Sequence, residues 1–120
     1  MAEHNDFGKL AEEQAVIFLK QNHYLILARN WYWQKAEIDI IARKGNIIHI
    51  VEVKARTSDD FILPEEAVNR KKRKLLIMAA NEFVQNLDEE VEVQFDIISI
   101  LSENGKFTLE YIDDAFESID

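Results

Sequence analysis

The segment from Glu37 to Arg56 constrains this chain most: Glu-Ile-Asp-Ile-Ile-Ala (37 to 42), a Lys44-Gly45-Asn46 turn, then Ile-Ile-His-Ile-Val-Glu-Val-Lys (47 to 54). Two runs rich in β-branched residues around a glycine-bearing turn spell a β-hairpin. With Lys44 and Gly45 as its loop residues, Glu37 opposes Glu52 and Asp39 opposes Ile50. Successive side chains alternate between faces. This register therefore puts Glu37, Asp39, Glu52 and Lys54 on one face, and Ile38, Ile40, Ala42, Ile47, His49, Val51 and Val53 on the other. Asp39 and Glu52 become diagonal neighbours with Cβ atoms roughly 7 to 8 Å apart, a gap that two carboxylates close around a cation. A slip of one residue would separate them.

Like charges held together in a half-buried sheet repel, and each carries a desolvation cost, so the arrangement calls for positive charge nearby. Lys54 supplies one such charge on the same face, and a divalent ion would supply more. Carboxylate oxygens suit Mg²⁺ or Mn²⁺, which need few protein ligands and keep waters for chemistry. Taken alone, these residues leave two readings open. One is a metal site with a lysine beside it; the other is a solvent-facing cross-strand salt bridge, which stabilises little.

At 120 residues the chain has the length of a single domain, 1 to 120, with an acidic C-terminal segment over 113 to 120. Without cysteine there is no disulfide frame, thiolate zinc site or thiol nucleophile. No signal-peptide pattern opens it and no apolar run approaches bilayer length, so a soluble cytoplasmic protein without a membrane partner is expected. The net charge of −9 argues against tight, nonspecific DNA binding, but it is unevenly spread. Residues 88 to 120 hold eleven acids and one base, whereas residues 1 to 87 hold twelve acids and thirteen bases. Five bases stand together as Arg70-Lys71-Lys72-Arg73-Lys74, a run that reads either as a phosphate-contacting patch or as a solvated helix face.

Helical periodicity over Phe7 to Gln21 puts Gly8, Ala11, Ala15, Val16, Phe18 and Leu19 on one arc, with Glu12 inside it. A carboxylate aimed at the core needs a partner, and the hairpin could provide one. Glu13 lies on the polar side. Tyr24 to Trp33 alternates as a strand, in which Trp31 and Trp33 read as packing residues. Thr57 to Leu63 reads as a loop, and Pro64 with Glu65 and Glu66 as the opening of a helical turn. A second helix is expected over Asn69 to Leu87, with Leu76, Ala79, Ala80, Phe83 and Leu87 on one stripe that Lys72 extends by a turn. Val91 to Leu101 forms a further strand, and Asn104-Gly105 a tight turn into Phe107 to Ile112, with Phe116 and Ile119 docking on the body. His49 reads as a core residue and Asp96 as a structural one, a cap or the partner of a buried arginine, with a role in the site as the alternative. The result is an α/β fold with a mixed β-sheet flanked by helices.

Asp39, a hairpin turn and then Glu52-Val53-Lys54 resemble the D…(D/E)-x-K signature of the PD-(D/E)xK nuclease superfamily. More closely, Ala-Glu-Ile-Asp-Ile-Ile-Ala (36 to 42) with Val-Glu-Val-Lys-Ala-Arg (51 to 56) resembles UPF0102, a family of small endonuclease-like bacterial proteins similar to archaeal Holliday-junction resolvases. Arg29-Asn30-Trp31 and Phe95-Asp96 fit the same pattern. Gly8-Lys9-Leu10-Ala11-Glu12 matches its G-x-x-G-E except at Ala11, and Ala36 stands where the family usually has glycine. The resemblance covers Gly8 to Asp96 and implies a restriction-endonuclease-like αβββαβ core. It also implies Asp39 and Glu52 holding Mg²⁺ (or Mn²⁺), Glu12 as a direct or water-mediated ligand, and Lys54 as the group orienting the attacking water. Nucleic acid, DNA first, is then the partner, with Arg56, Arg70, Lys71, Lys72 and Arg73 positioning its backbone. The family places a lysine four residues after a valine equivalent to Val68, which singles out Lys72 from the basic run. Branched DNA as substrate and a homodimer follow from the resolvase likeness alone. A nucleic-acid binder without cleavage and an acidic protein-interaction module are the competing readings.

Overall fold

The computed structural model describes residues 2 to 57 and 68 to 116, with side chains from Asp6 onward in the first helix. The expected loop residues 58 to 63, the Pro64 turn and the docking of Ile119 lie outside the described residues. Helix α1 (Ala2–Gln21) leads into β1 (Leu25–Trp33), β2 (Ala36–Lys44) and β3 (Ile47–Thr57). Helix α2 (Arg70–Gln85), β4 (Glu92–Glu103) and β5 (Lys106–Phe116) follow. The five strands form one sheet in the order β1-β2-β3-β4-β5. β3 and β4 pair in parallel and the other neighbours antiparallel. The chain is thus α/β with a mixed sheet and two helices, consistent with the αβββαβ core, to which β5 adds an edge strand.

A parallel pair cannot be joined by a tight turn, so the connection between β3 and β4 carries α2 to the opposite face of the sheet from α1. Both faces of β3 are consequently covered, and Ile48 to Glu52 is buried throughout. Ala11, Ala15, Val16 and Leu19 of α1 pack on Ile40, Ala42, Val51, Ile98 and Ile100. Leu76, Ala79 and Ala80 of α2 pack on Ile38, Ile41, Ile48, Ile50, Phe95 and Ile97. The expected division into a polar and an apolar hairpin face therefore holds only at one end, because Ile41, Ile48 and Ile50 give the α2 face its own core. Ile38 joins that core rather than the Ile40 face, as β2 parts from β3 beyond Ile40.

Besides shifts of one or two residues at the ends of α2 and β4, three boundaries differ from expectation. Helix α1 starts at Ala2, since nothing between Ala2 and Asp6 breaks a helix. The hairpin loop is Gly45-Asn46, not Lys44-Gly45: Gly45 has φ of +62°, and a two-residue loop seats such a residue at its first position, where lysine would be strained. Strand β5 runs on to Phe116, which stacks on Phe95, after an irregularity opposite Asp96 where Asp114 takes φ of +51°. Among the described residues no helix is long and apolar enough to cross a membrane.

Candidate active site

The shifted loop moves the register by two positions, so the faces are kept and the pairing changes. The β2–β3 ladder runs from Lys44 opposite Ile47 to Ile40 opposite Val51, which brings Asp39 level with Glu52 instead of diagonal to it. There the carboxylates take over from the ladder. The Val53 N–H donates to Asp39 Oδ2 at 2.8 Å, and the Asp39 N–H points at Glu52 Oε2 at 3.5 Å. Both carboxylates line one cavity of about 270 Å³, together with Lys35, Ala36, Glu37, Lys72, Leu75 and Leu76. Glu52 is 1% exposed, whereas Asp39 is half-buried.

Helix α2 supplies the opposite wall and a cation. Asn69 caps the helix by accepting the Lys72 N–H at 2.9 Å. From that first turn Lys72 Nζ reaches Glu52 Oε1 at 3.2 Å. Lys54, half-buried on β3, lies beside the Lys72 ammonium. Burial, then the charge of Asp39, pushes the Glu52 carboxyl up to about 7 against the pull of Lys72 and Lys54. Burial likewise raises Asp39, against the hydrogen bond from Val53. Lys54 is lowered by burial and by Lys72.

These shifts fix a sign for stability. Folded Glu52 keeps a proton that the unfolded chain releases near 4.5, so its contribution to stability without added metal is fully present below that pH and is lost as pH rises through about 7. In chelating buffer the unfolding free energy is expected to fall by about 1 to 3 kcal/mol across this window, and Glu52→Gln to flatten the slope. Denaturant melts at a series of pH values check this; an unchanged slope in Glu52→Gln would assign it elsewhere.

The third expected carboxylate stands apart. Glu12 is half-buried on α1, and its Oε1 accepts from Asn30 Nδ2 at 3.3 Å, an amide that also donates to Glu37 Oε2 at 3.3 Å. Glu12 is close enough to raise Asp39 electrostatically, but it does not line the cavity. Among the described residues no three His, Cys, Asp or Glu side chains converge as a ready metal cage. The donor set is an oxygen-only pair of carboxylates beside open volume. It fits a hard, water-rich ion such as Mg²⁺ or Mn²⁺, which takes one or two carboxylates and keeps waters, better than an ion needing a closed cage.

With this geometry in hand, comparison with known proteins is decisive at the level of family. The model of the uncharacterised protein family UPF0102 matches residues 11 to 100. The chain belongs to UPF0102. A UPF0102 protein of Flavobacterium psychrophilum is 51% identical over 116 residues, covering 97% of this chain and 98% of the relative. One of Bacteroides thetaiotaomicron is 45% identical over 116 residues, covering 97% and 96%. The UPF0102 match contains Glu12, Asp39, Glu52, Lys54 and Lys72.

The remaining residues of this UPF0102 protein divide by environment. The basic run is not one patch: Lys72 enters the cavity, while the Arg73 Nε donates to the Val68 carbonyl at 2.7 Å and its guanidinium lies 5.0 Å from the Phe116 ring centre. Arg70, Lys71 and Lys74 face solvent. Arg56 donates through Nε to Ser99 Oγ at 2.9 Å. Asp96 does not line the cavity, and its partner is a histidine and not an arginine. Fully buried, it contacts His49 Nδ1 at 2.6 Å and accepts from Tyr111, from Gln94 Nε2 at 3.0 Å and from the Asp114 N–H at 2.9 Å. Burial alone would raise the Asp96 carboxyl; these donors outweigh it and hold the group below its usual value. Trp31 packs edge-on against Phe83, and Glu13 forms an exposed ion pair with Arg29. Sequence reasoning missed Lys35 as a cavity residue. It sits in the turn between β1 and β2, where no periodicity indicates direction.

Proposed function

We propose that this UPF0102 protein is a divalent-cation-dependent nuclease of the PD-(D/E)xK type, a cytoplasmic enzyme hydrolysing DNA phosphodiesters. The observation that carries the reading is the convergence of Asp39, Glu52 and Lys72 on one cavity, with the Lys54 ammonium beside Lys72. A binding surface alone has no use for a pair of carboxylates that repel both each other and a phosphate backbone. Asp39 and Glu52 are the residues to hold Mg²⁺ or Mn²⁺. When bound, such an ion supplies an acidified water and counter-charge for the phosphoryl oxygens.

The chain's own groups do the positioning. Lys54, held on the rigid central strand, donates to the attacking water and to the phosphoryl oxygen as charge develops. Glu12, tied to Asn30, acts on Asp39 through its charge from outside the cavity. Lys35, Arg70 and Lys71 are exposed and suited to backbone phosphates, giving affinity that depends on salt and not on base sequence. Branched DNA and a homodimeric arrangement rest on the likeness to resolvases, which is a fold-level analogy.

Cleavage of branched, flapped and single-stranded DNA in Mg²⁺ or Mn²⁺ tests the proposal, with Glu52→Ala and Lys54→Ala prepared in parallel. Wild type is expected to cut and Lys54→Ala to be slowed by about a hundredfold or more. Equal cleavage by all three preparations would mean a contaminant. Binding without cleavage by wild type would leave a nucleic-acid binder, and neither activity an interaction module.

A further inference from the structure

The contact between Lys72 and Glu52 joins two unlike partners. The Glu52 side chain is 2% exposed, and its strand is buried on both faces; the Lys72 side chain is 39% exposed and reaches in from a helix turn. Glu52 therefore cannot leave the cavity, whereas a flexible four-carbon stem lets the ammonium swing into solvent without moving α2. Burying a carboxylate without a counter-charge is strongly unfavourable. The nearest carboxylate, Asp39, makes the cost larger, so the chain places a positive charge of its own where the two acids meet.

Resting on the metal-site reading above, we propose that Lys72 is the resident counter-cation of this cavity, an ammonium that neutralises Glu52 in the metal-free protein and that a divalent cation must displace. Lys72 thereby keeps the site folded when no ion is bound, and it weakens ion binding in proportion to the strength of the pair. Lys54, already beside Lys72, adds to the repulsion that an incoming cation meets.

The test uses Mn²⁺ alone, titrated calorimetrically into chelator-treated wild type, Lys72→Met and Lys72→Arg at about pH 8, where protons compete little for Glu52. Lys72→Met keeps an aliphatic stem and drops the charge; it is expected to bind Mn²⁺ about tenfold more tightly than wild type, as expected for loss of one charged hydrogen bond. Lys72→Arg keeps the charge and should stay within about threefold of wild type on the same scale. In chelator Lys72→Met should melt below wild type, and the difference should shrink in a Glu52→Gln background, because the lost partner is already gone. In the wild type the Lys72 Cε resonance should move on addition of Mg²⁺, a readout that does not depend on any variant folding. Saturable Mn²⁺ binding of equal or lower affinity in Lys72→Met, or a Lys72 resonance unmoved at saturation, overturns the counter-cation role and leaves the metal site standing. No saturable binding in any of the three proteins overturns both.

Discussion

On the nuclease reading proposed above, Asp39→Asn is expected to abolish saturable divalent-cation binding and to lower DNA cleavage by about a thousandfold or more, while raising the stability of the metal-free protein at neutral pH. Asparagine keeps an oxygen for the Val53 N–H, so the bond where β2 parts from β3 survives and the cavity keeps its shape. What disappears is one of two negative charges that burial and mutual repulsion already disfavour when ionised. Function and stability therefore move in opposite directions, which a merely structural carboxylate would not produce. Calorimetric titration with Mn²⁺, a gel assay of cleavage and a melt in chelator read the three effects. Cation binding undiminished in Asp39→Asn would remove the metal site from this cavity.

Asp96→Ala is expected to act in the opposite sense, lowering the unfolding free energy by about 3 to 5 kcal/mol while leaving cation affinity of the folded protein unchanged. Asp96 lies on the α1 face of the sheet, away from the cavity, where it gathers His49 of β3, Tyr111 of β5, Gln94 and the Asp114 N–H left unpaired by the irregular β5 ladder. Removing it strands several buried polar groups at once. Its lowered pKa sets the pH window: the stabilisation is present above the unfolded value of 3.8 and is lost as pH falls through the folded value below it. The cost of Asp96→Ala should hence be constant from mildly acidic to neutral pH and shrink only in strong acid. A loss under about 1 kcal/mol at neutral pH would show that the network contributes no more than an ordinary exposed pair.

The two carboxylates show what local reasoning reaches. Their shared face follows from strand alternation and is the same for either loop, because a shift of two positions preserves parity. Their separation is not, since loop conformation, which hinges on one positive φ at Gly45, decides which residues stand level. In α2 the helical period extended the apolar stripe to Lys72, whereas the exposure of Arg70, Lys71 and Lys74 came from the structure. The fate of Arg73 depended on Phe116, 43 positions further along. Helical phase put Glu12 on the apolar arc, yet Asn30 intercepts it from a left-handed conformation that no pattern of apolar residues announces. The His49–Asp96 pair joins residues 47 apart, and nothing near either one names the other.

Periodicity is a short-range property of the backbone, so the sequence by itself determined the elements and the placement of Asp39, Glu52 and Lys54 on one side of the hairpin. Only the packing of α2 across β2 and β3 decided that Glu52 is buried and that Lys72 reaches it, and only the fold brings Asn30 of β1 to hold Glu12 outside the cavity. Desolvation and ion pairing depend on what every other segment places around a group, and that is settled only when the whole chain has closed over it.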